Sequence, residues 1–183
     1  PIPTYDYWGL IGHFLTEEGL SLIDLLRIRA NEHPLAIPAL IYAVNIKFTS
    51  GSNYGLIAIA FLIAVLQFLV LAKLLTISFD ALALNRRRAS FLFQLLVFLL
   101  SVFVFTPAAA HNWMWGFSGV AWIGANFLAI VSIASLYQAA HPTSQQAQWI
   151  WIGASFVSAL LANFTYGTGI VVFPILFLLA LTF

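Results

Sequence analysis

Long apolar runs separated by short polar segments make up most of the chain after residue 53. A helix that spans a membrane needs about 20 mostly apolar residues. Four runs reach or approach that length, and a fifth is shorter because the sequence ends within it. The pattern predicts an all-α protein, a polytopic bundle of transmembrane helices. The predicted spans are 54–76, 89–109, 114–137, 147–164 and the truncated run 169–183.

One further apolar run, 35–48, is too short for a full span and contains Pro38, Asn45 and Lys47. Runs of this length are often interfacial or re-entrant. We therefore predict an interfacial helix over 35–48, broken or bent near Pro38, with Lys47 reaching the lipid headgroups. In the alternative arrangement this run crosses the membrane, and residues 1–34 lie on the same side as the three consecutive arginines at 86–88.

Three consecutive arginines, Arg86 to Arg88, indicate the orientation, because basic residues near span ends tend to remain in the cytoplasm. If 35–48 does not cross, residues 77–88 are cytoplasmic and residues 1–53 form an outer loop. The predicted location is the inner (plasma) membrane. The chain then divides into the outer loop 1–53, which bears amphipathic surface and interfacial helices, and the transmembrane bundle 54–183.

The composition agrees with a membrane location. The chain is 62% hydrophobic and 7% charged, with a mean hydropathy of +0.99, whereas a soluble domain carries about 25% charged residues. A net charge of +1 gives no indication of a nucleic-acid partner. Because the chain has no cysteine, disulfides and thiolate metal sites are excluded. The chain begins at Pro1 and ends within an apolar run, so we expect a fragment that lacks segments at both ends.

Nearly all the acidic residues lie in the outer loop, and only Asp80 lies elsewhere. Within the loop, residues 15–30 interleave leucine and isoleucine with charged residues at helical spacing. This pattern is typical of an amphipathic helix on the membrane surface. A solvated connector is the alternative interpretation. The acidic residues of the loop are Asp6, Glu17, Glu18, Asp24 and Glu32.

Three polar clusters fall on the predicted outer face, and their titratable groups could serve acid–base chemistry or bind a cation. Solvated loop residues, helix caps and interfacial anchors are the plainer interpretation of each cluster. The sequence has no Gly-rich phosphate loop, no His-Glu-x-x-His motif and no histidines at metal-ligand spacing. The clusters are Asp6 with Tyr5, Tyr7 and Trp8, then Glu32 with His33, and finally His111, Asn112, Trp113 and Trp115.

Four segments of the chain resemble one family of membrane enzymes. The stretches "YDYWGLIGHF", "NEHPLAIPALIYAVNIKF", "HNWMWGF" and "ANFTYGTGIVVFP" are similar, in their order and shared face, to segments of bacterial C-type membrane glycosyltransferases. That superfamily uses polyprenyl-phosphate sugars as donors. Its members have a first span and then a long outer loop with an early acidic residue and juxtamembrane helices. The resemblance covers most of the chain and implies that a first span precedes Pro1.

The resemblance also implies a site on the outer face. Asp6 matches the family's acidic residue, which acts as a base or binds a divalent cation, Mg²⁺ or Mn²⁺. The chain departs from the family by reading "DY" where many members have two acids, and "NEHP" where bacterial members often have "NEHR". Either catalysis is altered here, or a segment outside this sequence supplies the missing charge. The residues expected to bind substrate are Glu32, His33, His111, Asn112 and Trp113.

The function implied is transfer of a sugar from a polyprenyl-phosphate donor to an acceptor on the outer face of the membrane. The expected partners are membrane lipids, the lipid-linked donor and other membrane proteins, with no nucleic acid. We predict that one cavity beside a lipid-accessible groove brings together Asp6, Glu32, His33 and His111.

Two alternatives come from other classes of protein. One is a non-catalytic subunit of a larger membrane assembly, whose aromatic spans pack against lipids, pigments or partner helices. The other is a transporter, which would carry an ionisable residue near the middle of the membrane. We rank the transporter third because the polar residues in the interiors of the predicted spans, Gln67, Gln94 and Asn126, are not ionisable.

Overall fold

The computed structural model describes residues 22–30, 33–81, 86–106 and 113–181. Nearly all of these residues are helical, which confirms the predicted all-α bundle. The helices are α1 (Leu22–Arg27), α2 (Ala36–Thr49), α3 (Asn53–Ala81), α4 (Arg86–Val104), α5 (Gly116–Ala140), α6 (Gln145–Thr165) and α7 (Val172–Ala180), with a 3₁₀ helix (Gly167–Val171) between α6 and α7.

Three of the described helices, α3, α5 and α6, are long and apolar enough to cross a membrane. The chain is therefore a membrane protein, and these helices correspond to the predicted spans 54–76, 114–137 and 147–164. The predicted spans 89–109 and 169–183 correspond to shorter apolar helices, α4 and the segment Gly167–Ala180.

Local chemistry explains where the helix ends differ from the predicted ones. Helix α6 begins earlier than predicted because the Ser144 hydroxyl accepts a hydrogen bond from the backbone N–H of Ala147 (3.1 Å) and caps its first turn. Helix α4 ends at Val104, earlier than predicted. Pro107 follows in the sequence, and helices usually end before the residue that precedes a proline.

Successive long helices run antiparallel, and this arrangement defines the two ends of the bundle. The starts of α3 and α5 lie together, because the Asn53 amide accepts a hydrogen bond from Gly116 N–H (3.0 Å) and donates one to the Met114 carbonyl oxygen (2.9 Å). The ends of α4 and α6 lie beside them. We call this the site end, and the far end holds the ends of α3 and α5 with the starts of α4 and α6.

Helix α2 does not run from one end of the bundle to the other. Just before α2, His33 stacks on Tyr166, which directly follows α6. Just after α2, Asn53 is bonded to the start of α5. Both ends of α2 therefore lie at the site end, and the interfacial location predicted for 35–48 stays a prediction.

Of the break or bend predicted near Pro38, the break was wrong, because α2 is continuous from Ala36 to Thr49, and the bend stays a prediction. Pro38 lies in the first turn, where a backbone N–H has no acceptor within the helix, so the missing donor breaks no bond. Lys47 is exposed near the end of α2, with its ammonium 5.9 Å from the ring centroid of Phe48. Its contact with lipid headgroups stays a prediction.

A short hairpin connects α1 to α2. Of the amphipathic helix predicted over 15–30, the described part is α1, and residues before Leu22 lie outside the described ranges. Two antiparallel strands follow, β1 (Arg29–Ala30) and β2 (His33–Pro34), with Ala30 opposite His33. The Leu35 N–H then donates to the Ile28 carbonyl oxygen (3.0 Å). This hairpin was not predicted, and it sets the position of His33.

A hydrophobic core at the site end joins α2 to the spans. Tyr42 of α2 is completely buried, and its ring centroid lies 5.1 Å from that of Phe117 in α5. Its hydroxyl donates to the Phe117 carbonyl oxygen (2.8 Å), as a buried tyrosine hydroxyl needs a partner. Helix α2 is therefore a fixed part of the fold. The core consists of Ile28, Leu35, Ala39, Tyr42, Leu56, Ala60, Val120 and Ala121.

Helices α5 and α6 pack closely along a row of small side chains. Apolar burial adds little in lipid, so transmembrane helices associate through close packing and interhelical hydrogen bonds. The Ser132 hydroxyl donates to the Ser155 carbonyl oxygen (2.7 Å), and the Ser155 hydroxyl donates to the Ser132 carbonyl oxygen (2.9 Å). The small buried residues of these two helices include Gly124, Ala125, Ser132, Ser135, Ala139, Ser155, Ala159 and Ala162.

Removing both hydroxyls, by Ser132→Ala with Ser155→Ala, should lower the free energy of unfolding by about 0.6–1.7 kcal/mol for each of the two hydrogen bonds lost, the range for interhelical side-chain hydrogen bonds in membranes. Unfolding in mixed micelles measures this loss. The matched control is Ser101→Ala, since the Ser101 hydroxyl donates within its own helix to the Phe98 carbonyl oxygen (2.7 Å). Equal losses in the two variants would show that the serine pair does not join the helices.

Candidate functional site

Two of the six predicted site residues, His33 and Trp113, fall within the described ranges. The others, Asp6, Glu32, His111 and Asn112, lie outside them. The predicted convergence of four of these residues on one cavity therefore stays a prediction, and the geometry of the site is that of His33, Trp113 and their neighbours.

His33 lies half-buried in β2 and stacks on an aromatic ring from the other end of the sequence. Its ring centroid is 4.3 Å from that of Tyr166, with an angle of 30° between the rings. Gly167 leaves the space that this position requires, because a Cβ atom there would lie 2.6 Å from His33 Nδ1. The hairpin and the residues after α6 thus hold the His33 ring in one place.

Tyr166 is also in contact with Trp122 of α5. Their ring centroids are 4.3 Å apart, with 36° between the planes. The three side chains form a continuous series, His33, Tyr166 and Trp122, which we call the aromatic stack. Trp122 remains 41% exposed. The stack therefore ends in a ring that is held on one side and partly open to its surroundings.

The tyrosine in the middle of the stack is a neutral hydrogen-bond donor. Burial raises the pKa of the Tyr166 hydroxyl above its usual value, because the charged phenolate is the form that loses solvation. The phenol therefore stays protonated at neutral pH. It can bind a polar ligand atom, but it is not a base at that pH.

Trp113 belongs to a second aromatic cluster at the same end of the bundle. Its ring lies nearly parallel to Phe105, with centroids 6.2 Å apart, and meets Phe61 of α3 edge-on at 6.4 Å. The indole N–H donates to the Thr106 carbonyl oxygen (3.3 Å). These contacts hold the segment after α4 against α3, so Trp113 has a structural role, and its contact with substrate stays a prediction.

The described site residues lie at one end of the bundle, and the membrane face of that end stays a prediction. His33 lies beside the end of α6, and Trp113 precedes the start of α5, so both are at the site end. His141, which was expected on the opposite face, follows α5 at the far end and stacks on Tyr137 (4.6 Å).

The described residues do not test the predicted metal site. Within the described ranges, no three His, Asp or Glu side chains lie close enough together to hold a metal ion. Asp6 and Glu32, the carboxylates expected near His33, lie outside these ranges. A divalent cation bound by Asp6 therefore stays a prediction.

An apolar groove of about 940 Å³ lies between α3 and α4. Its α3 lining runs from Leu71 to Ser78, in the half of α3 nearer the far end, and Thr106, just after α4, is its lining residue closest to the site end. Such a surface suits hydrocarbon rather than a polar ligand. The lining residues are Leu71, Leu74, Leu75, Ser78, Leu96, Leu99, Leu100, Val102, Phe103 and Thr106.

No role was predicted for Tyr166 or Trp122 from the sequence. The segment "NFTYGTG" contributed to the family resemblance, and its Tyr-Gly pair directly after an apolar run was the available signal.

Comparisons of the chain with protein-family models, with curated proteins and with solved structures gave no match.

Proposed function

We propose that the protein is a membrane glycosyltransferase that moves a sugar from a polyprenyl-phosphate donor to an acceptor on the outer face of the inner (plasma) membrane. One observation carries the proposal. Three segments that underlie the family resemblance, and that lie far apart in the sequence, each have a described residue at the site end. They are represented there by His33 of "NEHP", Trp113 of "HNWMWGF" and Tyr166 of "ANFTYGTG".

Two features of the fold support a lipid-linked substrate. Helix α2 lies at the site end and is anchored through Tyr42, so it forms a fixed shelf next to His33. The groove between α3 and α4 has Thr106 as its lining residue closest to that end. A lipid-linked sugar needs polar contacts at the membrane surface and an apolar path for its chain. His33 supplies a polar group beside α2, and the groove supplies an apolar surface.

The proposed chemistry assigns distinct roles to the site residues. Asp6 removes the proton from the acceptor hydroxyl as the new glycosidic bond forms. His33 and Glu32 contact the donor near its phosphate, and the His33 ring donates a hydrogen bond as the lipid phosphate departs with the bonding electron pair. Fixed donors aimed at developing charge often make the largest contribution to catalysis, and the stacking on Tyr166 keeps the His33 ring fixed.

The orientation can be tested separately, because the chain has no native cysteine. In this proposal the start of α4 is cytoplasmic and the start of α5 is outside, so Arg87→Cys and Met114→Cys should react with an impermeant thiol reagent from opposite sides. Met114 is 67% exposed. Gln145→Cys, at the far end, should behave like Arg87→Cys. Labelling of all three positions from outside would overturn the proposed sidedness.

Ligand-dependent stability tests the proposed donor. A ligand present at 100 times its dissociation constant stabilises a folded protein by about 2.7 kcal/mol. Polyprenyl-phosphate sugars should therefore raise the unfolding temperature of the purified full-length protein, and the same polyprenol without phosphate should not. A protein that no lipid-phosphate sugar stabilises, and that purifies with a stoichiometric membrane partner, would instead be a non-catalytic subunit.

A further inference from the structure

The aromatic stack has more order than a membrane-surface anchor requires. Tryptophan is common at membrane interfaces, where its ring needs only a position near the headgroups. Trp122, in contrast, is held in one orientation by Tyr166, which is itself held by His33 at the same centroid distance of 4.3 Å. Trp149 at the far end is 65% exposed, against 41% for Trp122. A fixed, partly open ring is suited to binding a ligand.

The chemistry of the stack matches that of a sugar. A hexose presents C–H groups on the faces of its ring and hydroxyl groups at the rim. The face of an aromatic ring is electronegative and attracts such weakly positive hydrogens. Beside the open ring, the Tyr166 hydroxyl can donate a hydrogen bond, and the His33 imidazole has two nitrogens that can donate or accept. Ligand pockets typically combine aromatic walls with a few polar groups of this kind.

The position of the stack also agrees with binding of the donor's sugar. Tyr166 directly follows the end of α6, and Trp122 lies in the second turn of α5. The stack is therefore next to the end of α6 and the start of α5. His33, the residue already assigned to substrate binding, forms its other end. The sugar of a lipid-linked donor would thus lie beside the residue that contacts its phosphate.

We propose that the aromatic stack binds the sugar ring of the donor, with the open face of Trp122 against a C–H face of the ring and the Tyr166 hydroxyl at its rim. This inference rests on the proposed function and adds Trp122 and Tyr166 as determinants of donor specificity. The ligand class is a hexose carried on a lipid phosphate.

The test compares ligands that differ only in the sugar. Affinities of the full-length protein are measured for farnesyl phosphate and for farnesyl phosphate carrying glucose, galactose or N-acetylglucosamine. The wild type should prefer a sugar-bearing ligand. Trp122→Leu should reduce that preference about 2- to 10-fold, the range for one aromatic contact, and leave the affinity for farnesyl phosphate unchanged. Trp122→Phe should keep most of the preference, and Trp149→Leu should keep all of it.

The outcomes distinguish failure of the inference from failure of the proposed function. If the wild type prefers a sugar-bearing ligand and Trp122→Leu keeps the preference, the inference is wrong and the proposed function stands. If Trp122→Leu lowers the affinity for farnesyl phosphate and for its sugar-bearing forms equally, Trp122 only supports packing, and the inference is again wrong. If the wild type binds neither class of ligand, both proposals are wrong. Trp122→Met retains side-chain volume without a ring and decides the same question if Trp122→Leu does not fold.

Discussion

Asp6→Asn is expected to lower the rate of sugar transfer by about 100-fold or more, because general acid–base catalysis typically contributes about 100- to 10,000-fold. The substitution removes the negative charge and keeps the shape of the side chain. The measurement is kcat for transfer from a polyprenyl-phosphate sugar, together with the unfolding temperature, which should not change.

The matched control for this experiment is Asp24→Asn. Asp24 is a second carboxylate of the predicted outer loop, lies in α1 and has no assigned role in the proposed chemistry. It should retain the wild-type rate. Full activity in Asp6→Asn would remove Asp6 from the site, and equal losses in the two variants would point to the charge of the loop rather than to one catalytic carboxylate.

Gly116→Ala should lower the free energy of unfolding by about 1–3 kcal/mol, the usual effect of overpacking. A Cβ atom at position 116 would lie 2.5 Å from the backbone nitrogen of Ile57 and 2.5 Å from Leu56 Cβ. Real Cβ atoms essentially never approach so closely, so the starts of α3 and α5 would have to separate. That movement would also lengthen the hydrogen bonds between Asn53 and the start of α5.

The same substitution elsewhere in the bundle provides the control. A Cβ atom at Gly153 of α6 would meet no other atom within 4 Å. Gly153→Ala should therefore leave stability unchanged or raise it by up to about 1 kcal/mol, since alanine is the better helix former. The comparison is made by reversible unfolding in mixed micelles. Equal effects of the two substitutions would contradict the close contact between α3 and α5.

The spans could be predicted from the sequence because apolar length alone determines whether a helix can cross a membrane. Helices α3, α5 and α6 begin close to the predicted positions. Their exact ends depend on single interactions, such as the Ser144 cap at the start of α6. That α2 does not run the length of the bundle could be expected from its short length, whereas the expected break at Pro38 did not occur because the first turn of a helix tolerates proline.

The candidate site was less predictable, because its contacts join distant parts of the chain. His33 was singled out as a titratable residue next to a proline. Its position, however, depends on the pairing of the short strands β1 and β2 and on the absence of a side chain at Gly167. Tyr166 and Trp122 lie in segments that read as the end of one span and the interior of another. No local pattern in either segment indicates that their rings meet.

The most direct measurement of the central claim is turnover by the purified full-length protein in proteoliposomes. Polyprenyl phosphates carrying radiolabelled sugars are supplied with membrane-extracted acceptors, and the label is followed from donor to acceptor. The proposed function predicts release of free polyprenyl phosphate with stoichiometric labelling of the acceptor, on the side where position 114 is accessible, and near-complete loss of both in Asp6→Asn. Intact donor after incubation with every sugar, or equal turnover in wild type and Asp6→Asn, would contradict it.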